Sequence, residues 1–230
     1  MKRSYLFRNA RIITVLLLTG FSAFTPDGIA QDSNYLKDID GNTYKTVKIG
    51  VQVWMAENLR TTKLNDGETI PLITSSDWYN HTGNCYCWYS NNPSAFGNPY
   101  GALYNWYTVN TSKLCPSGWR VPSDSDWVML RDYLGGESVA GSKLKESGTD
   151  HWNPPNSGAT NETGFTALPG GGRWMIGRFD LLGRNGYLWS STEDVLVEAV
   201  AWRMGSSLNS LERIGTLKKN GFNVRCLRDN

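Results

Sequence analysis

The clearest hydrophobic pattern lies near the middle of the chain and predicts a helix. Its apolar positions recur at i, i+3 and i+7: Trp127, Leu130 and Leu134. Ser123 precedes them as a favourable N-cap, and Asp126 three residues later resembles a capping box with Asp in place of Glu. Gly135-Gly136 follows as a typical helix end. We therefore predict an amphipathic helix near residues 124–134, with one apolar face directed to the core.

Short runs of β-forming residues lie on both sides of this helix. "TYKTVKIG" and "VQVWM" meet at Gly50 and predict a hairpin that turns Trp54 to the core. A further short strand is predicted near residues 69–73. The C-terminal runs predict an antiparallel meander: "GYLWSSTED", "AVAWRMG", "SSLNSLERIG" and "GFNVRCLRD". Helical spacing also indicates a short helix after Gly101 and another helix over 138–146.

The remaining segments are rich in turn residues and also in aromatic residues. Residues 76–100 are dense in Asn, Gly and Pro, yet they contain Trp and Tyr, which flexible linkers lack. Residues 151–174 are also long and rich in turn residues, which suits a compact domain only if this loop is ordered or functional. The whole chain holds ten Trp and 24 Gly. Tryptophan supplies a large apolar area and glycine permits tight turns. The composition therefore predicts a loop-rich globule that is anchored by aromatic side chains.

The first thirty residues follow the pattern of a cleaved secretory signal. Four basic residues open it: Lys2, Arg3, Arg8 and Arg11. An apolar run over 12–18 and the small residues Gly28-Ile29-Ala30 complete the pattern, with Gln31 as the first mature residue. The run is far shorter than the ~20 residues of a spanning helix. The predicted organisation is a signal peptide over 1–30, a polar leader over 31–38 and one domain over 39–230.

Export changes the interpretation of the charge. The chain has 23 basic and 21 acidic residues. Removal of the signal takes four basic residues and one acidic residue, Asp27, which leaves 19 basic against 20 acidic residues and a net charge of −1. The mature part contains no run of basic residues that could bind the phosphates of a nucleic acid, so the sequence does not favour nucleic-acid binding. After cleavage no apolar segment is long enough to span a membrane. The predicted location is secreted, periplasmic or on the outer cell surface, and the oligomeric state stays open.

The four cysteines of an exported chain are first interpreted as disulfides. Cys85 and Cys87 are one residue apart, so a bridge between them would form a strained ring. We favour a Cys115–Cys226 disulfide, which would tie the start of the main helix to the last strand. The alternative joins one member of the near pair to Cys115 and the other to Cys226. The state of Cys85 and Cys87 therefore stays open.

Other chemistry of the cysteines and of the charged residues lacks a recognised motif. Cys-x-Cys is tighter than the C-x₂₋₄-C pairs of zinc sites, and a nucleophilic thiol needs a nearby base. The candidates for an enzyme are two histidines and four acids: His81, His151, Asp126, Glu162, Glu193 and Asp194. Asp126 is explained as a helix cap, and Glu193-Asp194 is interpreted as a solvated turn. The sequence therefore predicts no catalytic residue and no metal site.

Several long segments resemble the Fibrobacter succinogenes major paralogous domain. They occur in the family's order from about residue 38 to the C-terminus: "VQVWMAENLR", "CYCWYSNNP", "YGALYNWYTVNTSKLCPSGWRVPSDSDWVMLRDYLGG", "ATNETGFTALPGG", "LWSSTE" and "GFNVRCLRD". The resemblance implies an exported or surface protein of a bacterium. It also implies a family whose activity is mostly unassigned.

This family is similar in turn to the C-type-lectin-like superfamily, which includes sulfatase-modifying enzymes. "WRVPSDSDW" resembles their R-L-P-T-x-x-E-W element, and "GFNVRCLRD" resembles their terminal strand. The resemblance implies an α+β fold with a twisted antiparallel sheet, one or two helices and long ordered loops. Residues 150–225 contain no cysteine, so the redox chemistry of those enzymes is not carried over. "WNPPN" at 152–156 lacks the lectin calcium tripeptides E-P-N and Q-P-D. No cofactor is predicted, and calcium stays open.

A binding role is the function that these features favour. Four tryptophans in loops are the candidates for contacts with sugar rings: Trp78, Trp88, Trp152 and Trp174. Long loops on a rigid scaffold often carry binding sites, although such tryptophans also serve as core anchors. We expect an exported, non-catalytic protein that binds glycans or another cell-surface component. The alternatives are an enzyme of the sulfatase-modifying type with an unknown substrate and a structural or adhesion component.

Overall fold

The computed structural model describes Met1 and residues 34–229. Apart from Met1, the predicted signal peptide over 1–30 lies outside the described region, and so does its cleavage point. The described residues form twelve strands: β1 Tyr35–Lys37, β2 Thr43–Ile49, β3 Gln52–Met55, β4 Tyr86–Cys87, β5 Leu103–Tyr104, β6 Trp119–Arg120, β7 Gly170–Arg173, β8 Phe179–Leu182, β9 Asn185–Val195, β10 Glu198–Gly205, β11 Glu212–Leu217 and β12 Leu227–Arg228. They also form five helices: α1 Asp77–Asn80, α2 Pro93–Tyr100, α3 Trp106–Val109, α4 Asp124–Tyr133 and α5 Glu137–Leu144. None of the helices in this region combines the length and apolar character that a bilayer crossing needs.

One five-stranded sheet has the order β1-β2-β3-β12-β6. β2 and β3 pair antiparallel across Gly50, with Val47 opposite Trp54, which confirms the predicted hairpin. Trp54 is fully buried, as predicted. β1 lies inside the segment predicted as a leader and pairs with β2. The C-terminal strand β12 inserts between β3 and β6, with Leu227 opposite both Trp54 and Arg120. The first and last parts of the domain are therefore joined in one sheet.

The second five-stranded sheet has the order β11-β10-β9-β7-β8. β9, β10 and β11 run antiparallel as a meander, in agreement with the prediction. The prediction was wrong for the final run, "GFNVRCLRD", because β12 pairs in the first sheet. Backbone hydrogen bonds to the segment around the end of β3 determine this path: Met55 N donates to Cys226 O (2.9 Å) and Leu59 N donates to Val224 O (2.8 Å).

Residues 69–73 do not form a regular strand, contrary to the prediction. Leu72 makes only an isolated bridge, to Tyr86. Pro71 lies in the middle of the run and has no N–H to donate to a ladder. Its carbonyl still accepts a hydrogen bond from Tyr86 N (3.0 Å), so the segment follows the neighbouring chain without becoming a strand.

The helix predicted after Gly101 is shorter than its hydrophobic spacing suggests. Leu103 belongs to β5, which pairs with β4, and α3 begins only at Trp106. Asn105 marks the boundary because its Oδ1 accepts a hydrogen bond from the backbone N–H of Thr108 (3.1 Å). This is the arrangement of an N-cap, which fixes the first turn of a helix.

Helix α4 has the predicted start and cap. The backbone N–H of Asp126 donates to Ser123 Oγ (3.3 Å), and the Ser123 N–H donates to Asp126 Oδ2 (2.7 Å), which completes the capping box. Its three predicted core positions are buried: Trp127, Leu130 and Leu134. Gly135 and Gly136 then adopt positive φ values. The helix therefore ends where the glycine pair permits a left-handed turn.

Gly141 has a packing role inside α5. A Cβ at this position would lie 2.1 Å from Ser210 O, so glycine is needed for the connection between β10 and β11 to approach the helix. Ser142 N donates to Asn209 O (2.9 Å) across the same contact. The close approach fixes α5 against one end of the second sheet.

Aromatic side chains fill the core between these elements. Trp127 packs on Trp54, with ring centroids 4.7 Å apart, and stacks with Trp202 at 6.1 Å. Phe165 meets the Trp54 ring edge-on at 5.8 Å. All four residues are fully buried. The loop-rich fold is therefore held by contacts between aromatic rings from distant segments, as the composition indicates.

Four cationic side chains are buried within the described part of the chain: Lys145, Arg173, Lys218 and Arg225. The ammonium group of Lys145 donates to three backbone carbonyls: Ser157 (3.0 Å), Gly205 (3.0 Å) and Leu208 (2.7 Å). Burial lowers the pKa of this ammonium to about 8, because desolvation disfavours the charged form. An ammonium has three donors, so the charged side chain satisfies all three carbonyls and ties two loops to the end of α5.

We expect Lys145→Met to lower the free energy of unfolding by about 2–4 kcal/mol, because a buried polar group left unsatisfied costs about 1–3 kcal/mol. Guanidinium denaturation at pH 7 measures the change. Lys143→Met is the matched control, since Lys143 makes a partly exposed ion pair with Glu162 (3.2 Å) of a kind worth about 0–1 kcal/mol. Equal losses in the two variants would contradict a structural role for the Lys145 ammonium.

Candidate functional site

The Cys115–Cys226 disulfide is present, which confirms the favoured pairing. The two Cα atoms are 5.9 Å apart, and both residues are buried. The bond joins the segment before β6 to the segment before β12, and these two strands pair with each other. Since a nucleophilic cysteine needs a free thiolate, Cys115 has a structural role.

Cys85 and Cys87 are free thiols in the buried core. Burial raises the pKa of each thiol to about 12, because desolvation disfavours the thiolate. Both therefore stay protonated at neutral pH, and a protonated thiol is neither an effective nucleophile nor a metal ligand. Across residues 34–229, no three His, Cys, Asp or Glu side chains are grouped so that they could hold a metal ion.

The two histidines make local contacts. His151 Nδ1 lies 2.9 Å from both carboxylate oxygens of Glu146. His81 Nε2 lies 3.0 Å from Asn84 O. Each contact pairs an imidazole with a carboxylate or a carbonyl, which orients the ring and supplies no nucleophile.

The four acidic candidates all form ion pairs. Asp126 accepts hydrogen bonds from Arg120 Nη1 (2.5 Å) and Nη2 (3.0 Å), in addition to capping α4. The other pairs are Glu162 with Lys143, Glu193 with Lys218 and Asp194 with Arg213. Glu193 and Asp194 lie within β9, so their interpretation as a turn was wrong. The strand continues to Val195 because it pairs with β10 up to the end of the hairpin.

The four tryptophans considered for sugar contacts lie in two environments. Trp78 and Trp152 are 1% exposed, and their indole N–H groups donate to backbone carbonyl oxygens. Their ring faces are therefore closed to a ligand. Trp88 and Trp174 are half-buried, and each packs edge-on against rings of the core.

A different aromatic side chain, Tyr133, presents an open ring. It lies four residues after Met129, on the side of α4 that faces away from the core. Tyr133 is 66% exposed and Met129 is 51% exposed. The two side chains form an exposed apolar row on a helix whose opposite face is fixed by burial.

Gly50 supports one side of the Tyr133 ring. It lies in the turn of the β2–β3 hairpin with a φ of 60°, a conformation that favours glycine. A Cβ at Gly50 would lie 3.1 Å from Tyr133 Cδ2 and Cε2, so the ring rests directly on glycine backbone. The hairpin turn therefore holds the ring in place and leaves its other side open to solvent.

Two grooves flank this ring. We use the name Tyr133 groove for the two grooves and the Tyr133 ring taken together. The larger has a volume of about 400 Å³, and its polar lining residues are Lys48, Lys143, Glu162 and Thr163. The smaller has a volume of about 90 Å³, and its lining includes Ile49, Val51, Gln52 and Met129. Thr163 Oγ1 donates to Lys143 O (3.0 Å), and Lys143 pairs with Glu162 (3.2 Å). These contacts fix the polar wall of the larger groove.

The Tyr133 groove combines an aromatic face with hydrogen-bonding groups of several kinds. Ammonium groups donate, a carboxylate accepts, and a hydroxyl does both. Among the described lining residues none is a Cys or a His. The arrangement therefore suits a ligand with an apolar face and many hydroxyl groups better than it suits covalent catalysis.

A second cleft, of about 380 Å³, lies beside the disulfide and carries less ligand chemistry. Its lining includes Cys115, Arg120 and Ser123. The Arg120 guanidinium is already paired with Asp126 and lies 3.5 Å from Asp229. Ser123 is engaged as the N-cap of α4. The polar side chains of Arg120 and Ser123 in this cleft therefore maintain the fold.

Tyr133 was not predicted from the sequence, because only tryptophans in loops were considered as contacts for a sugar ring. The sequence signal that could have identified Tyr133 is its spacing from Met129, which places both residues outside the apolar stripe of the predicted helix. An exposed aromatic residue on a rigid helix is a candidate for binding. The contact with Gly50, which makes the ring a fixed surface, depends on the folded structure.

A sequence model of the Fibrobacter succinogenes major domain matches residues 47–228. The chain belongs to this family. The match confirms the family resemblance of the quoted segments, and the wider similarity to C-type lectins stays a prediction. No curated protein and no solved structure matches the chain. In this Fibrobacter succinogenes major domain, the matched region contains Gly50, Tyr133 and both cysteines of the disulfide, so the Tyr133 groove lies within the family's own unit.

Proposed function

We propose that this protein is an exported, non-catalytic domain that binds carbohydrate in the Tyr133 groove. The observation that carries the proposal is the Tyr133 ring, which is 66% exposed. The ring rests on Gly50 and lies between two grooves. An aromatic surface that is held in place before binding loses little side-chain entropy when a ligand arrives.

The chemistry of a sugar ring suits this site. A pyranose has apolar C–H faces and a rim of hydroxyl groups. The open side of the Tyr133 ring provides an apolar surface for the C–H face. Lys48 and Lys143 can donate to the hydroxyl oxygens, and Glu162 can accept from the hydroxyl protons. The groove therefore offers partners for both parts of the ligand.

The environment of the other reactive groups supports a role without catalysis. Cys115 is bonded to Cys226, and the thiols of Cys85 and Cys87 are buried and protonated. The acidic candidates for catalysis form ion pairs with Arg or Lys. The Tyr133 groove contains one of these acids, Glu162, which is paired with Lys143 (3.2 Å). A single paired carboxylate without a neighbouring nucleophile suits binding better than turnover.

The proposal includes export and a C-type-lectin-like fold. The pattern over 1–30 supports cleavage and release of a domain over 39–230, preceded by a leader over 31–38. Residues 35–37 of this leader form β1 and extend the first sheet of the domain. A disulfide suits an oxidising compartment. The α+β architecture, with two mostly antiparallel five-stranded sheets and long aromatic loops, supports the fold resemblance. The proposed location is secreted, periplasmic or on the outer cell surface, where polysaccharides are accessible.

We expect Tyr133→Ala to weaken carbohydrate binding at least about tenfold, because burial of an aromatic or large aliphatic side chain contributes about 1.5–3 kcal/mol and 1.4 kcal/mol corresponds to tenfold. An array of cell-wall oligosaccharides, probed with the protein purified from the full-length chain, identifies the ligand. Isothermal titration calorimetry then measures Kd for the wild type and the variant.

Tyr133→Phe is the matched control because it keeps the ring and removes only the hydroxyl. We expect it to bind nearly as well as the wild type. Unchanged melting temperatures would show that both variants fold, as the exposure of this side chain indicates. A wild type that binds no carbohydrate on the array, or equal binding by Tyr133→Ala, would contradict the proposal.

A further inference from the structure

The hairpin between β9 and β10 ends in an exposed apolar tip. Val195, Leu196 and Val197 are 55%, 87% and 58% exposed, and we name these three residues the apolar tip. Two-residue hairpin turns normally favour Asn, Asp and Gly, whereas Leu196 and Val197 occupy the turn here. Exposing aliphatic side chains to water in a turn does not stabilise the fold. A contiguous exposed apolar surface of this kind indicates an interaction site.

An apolar cleft of about 200 Å³ adjoins the apolar tip. Its lining residues are Tyr79, Tyr107, Met175, Val197, Leu217 and Lys219, and we name it the tyrosine cleft. Val197 belongs to both features, so the tip and the cleft lie on one face of the protein. A cavity of about 150 Å³ accommodates benzene, so the tyrosine cleft is large enough for one aliphatic side chain.

Hydrogen bonds beneath the tyrosine cleft hold its walls together. Lys219 Nζ donates to Tyr79 O (2.7 Å) and lies 5.2 Å from the centroid of the Tyr79 ring. Trp78 Nε1 donates to Lys219 O (2.7 Å). Lys218 N donates to Val197 O (3.0 Å) and links the cleft to the tip. The surface is therefore formed before any partner binds, which lowers the entropic cost of association.

Charges of opposite sign lie on the two features. Glu198 follows the apolar tip directly and forms no ion pair among the described residues, whereas Glu193 and Asp194 before the tip are paired with Lys218 and Arg213. The tyrosine cleft carries the ammonium of Lys219. A two-fold axis brings the same patch of two copies together, so that each tip meets the cleft of the other copy. In that arrangement Glu198 of one copy approaches Lys219 of the other, which favours the encounter and fixes the register.

We infer that this face is an interface between two copies of the chain, in which Leu196 of each copy inserts into the tyrosine cleft of the other. The contact uses the same residues on both sides and therefore closes as a dimer. It covers the exposed aliphatic side chains of both tips. It also presents two Tyr133 grooves in one particle, which would raise the apparent affinity for a repeating polysaccharide.

Sedimentation velocity over a range of protein concentrations tests this inference on protein purified from the full-length chain. We expect the wild type to form a dimer and Leu196→Asp to weaken it at least about tenfold, because a charge at the centre of a desolvated contact removes a major part of the binding. Ile39→Asp is the matched control. Ile39 is also an exposed aliphatic residue, 47% exposed, in the turn between β1 and β2, and its replacement should leave the dimer intact.

A charge exchange tests the orientation and does not depend on the folding of one variant. Glu198→Lys and Lys219→Glu should each weaken the dimer, and the double variant should restore it. A wild type that stays monomeric at all concentrations, or a dimer that Leu196→Asp leaves intact, would overturn the inference. A monomer whose apolar tip binds phosphatidylcholine vesicles would also overturn it, because the face would then have another partner.

Discussion

Replacing Cys115 and Cys226 with alanine is expected to lower the free energy of unfolding by about 4–5 kcal/mol. The two residues are 111 positions apart, so without the bond the unfolded chain regains the freedom of a long loop. Since a domain is typically stable by about 5–15 kcal/mol, the loss is a large part of the total. Guanidinium denaturation of the oxidised wild type and of the double variant measures the difference.

The matched control replaces the two free cysteines, Cys85 and Cys87. This double variant should lose only packing, on the order of 1 kcal/mol for each buried group. A reductant should destabilise it as strongly as it destabilises the wild type, whereas the Cys115/Cys226 variant should not respond. A reductant response in the Cys115/Cys226 variant would contradict the pairing. So would a count of four thiols in the unfolded, unreduced wild type.

Helix α4 and the β2–β3 hairpin could be predicted because their signals are local. Ser123 and Asp126 lie within four positions of each other and form the capping box. Gly50 lies in the turn that reverses the chain. Each element is determined by residues a few positions apart, which a hydrophobic period and turn chemistry can reveal.

The path of the last strand could not be predicted in this way. "GFNVRCLRD" has the composition of the runs that precede it, yet Leu227 pairs with Trp54 near the start of the domain. A hydrophobic period shows that a segment is a strand and does not name its partner. The Tyr133 groove is non-local for the same reason, because the hairpin turn at Gly50, the end of α4 and the loop at Glu162 meet only in the folded chain.

The tryptophans show why composition identifies anchors more readily than binding sites. An indole carries a large apolar area and one donor that needs an acceptor when it is buried. Trp78 and Trp152 satisfy both needs inside the protein, with 1% exposure and a hydrogen bond to a backbone carbonyl. Tyr133 remains outside because α4 uses its other face for the core. Exposure on a rigid element was therefore a better guide to the candidate site than ring size.

The buried guanidinium of Arg225 is the second position at which we expect a large effect. Its Nε donates to Asn58 Oδ1 (2.8 Å), and its Nη2 donates to Thr166 O (2.7 Å). Its Nη1 donates to the carbonyl of Phe165, whose ring lies 4.3 Å from the guanidinium carbon. Burial lowers the pKa of this guanidinium to about 9, so it remains charged at neutral pH. The side chain therefore ties the segment before β12 to two other loops.

Arg225→Met is expected to lower the free energy of unfolding by about 3–5 kcal/mol, because it leaves three acceptors without their donor and each costs about 1–3 kcal/mol when buried. Guanidinium denaturation measures the loss. Arg178→Met is the matched control, since the Arg178 side chain is 67% exposed and pairs with Asp180 on the surface, where such pairs contribute about 0–1 kcal/mol. Comparable losses in the two variants would contradict the role assigned to Arg225.

Arg225→Lys separates the charge from the geometry. Lysine keeps the positive charge but lacks the planar fork that reaches several acceptors at once, so it should recover only part of the loss. Full recovery would show that charge alone stabilises the site. Arg225 and Cys226 anchor the same segment, so their effects should not add. Once the disulfide is removed and that segment is free to separate from the first sheet, Arg225→Met should cost less than it does in the oxidised protein.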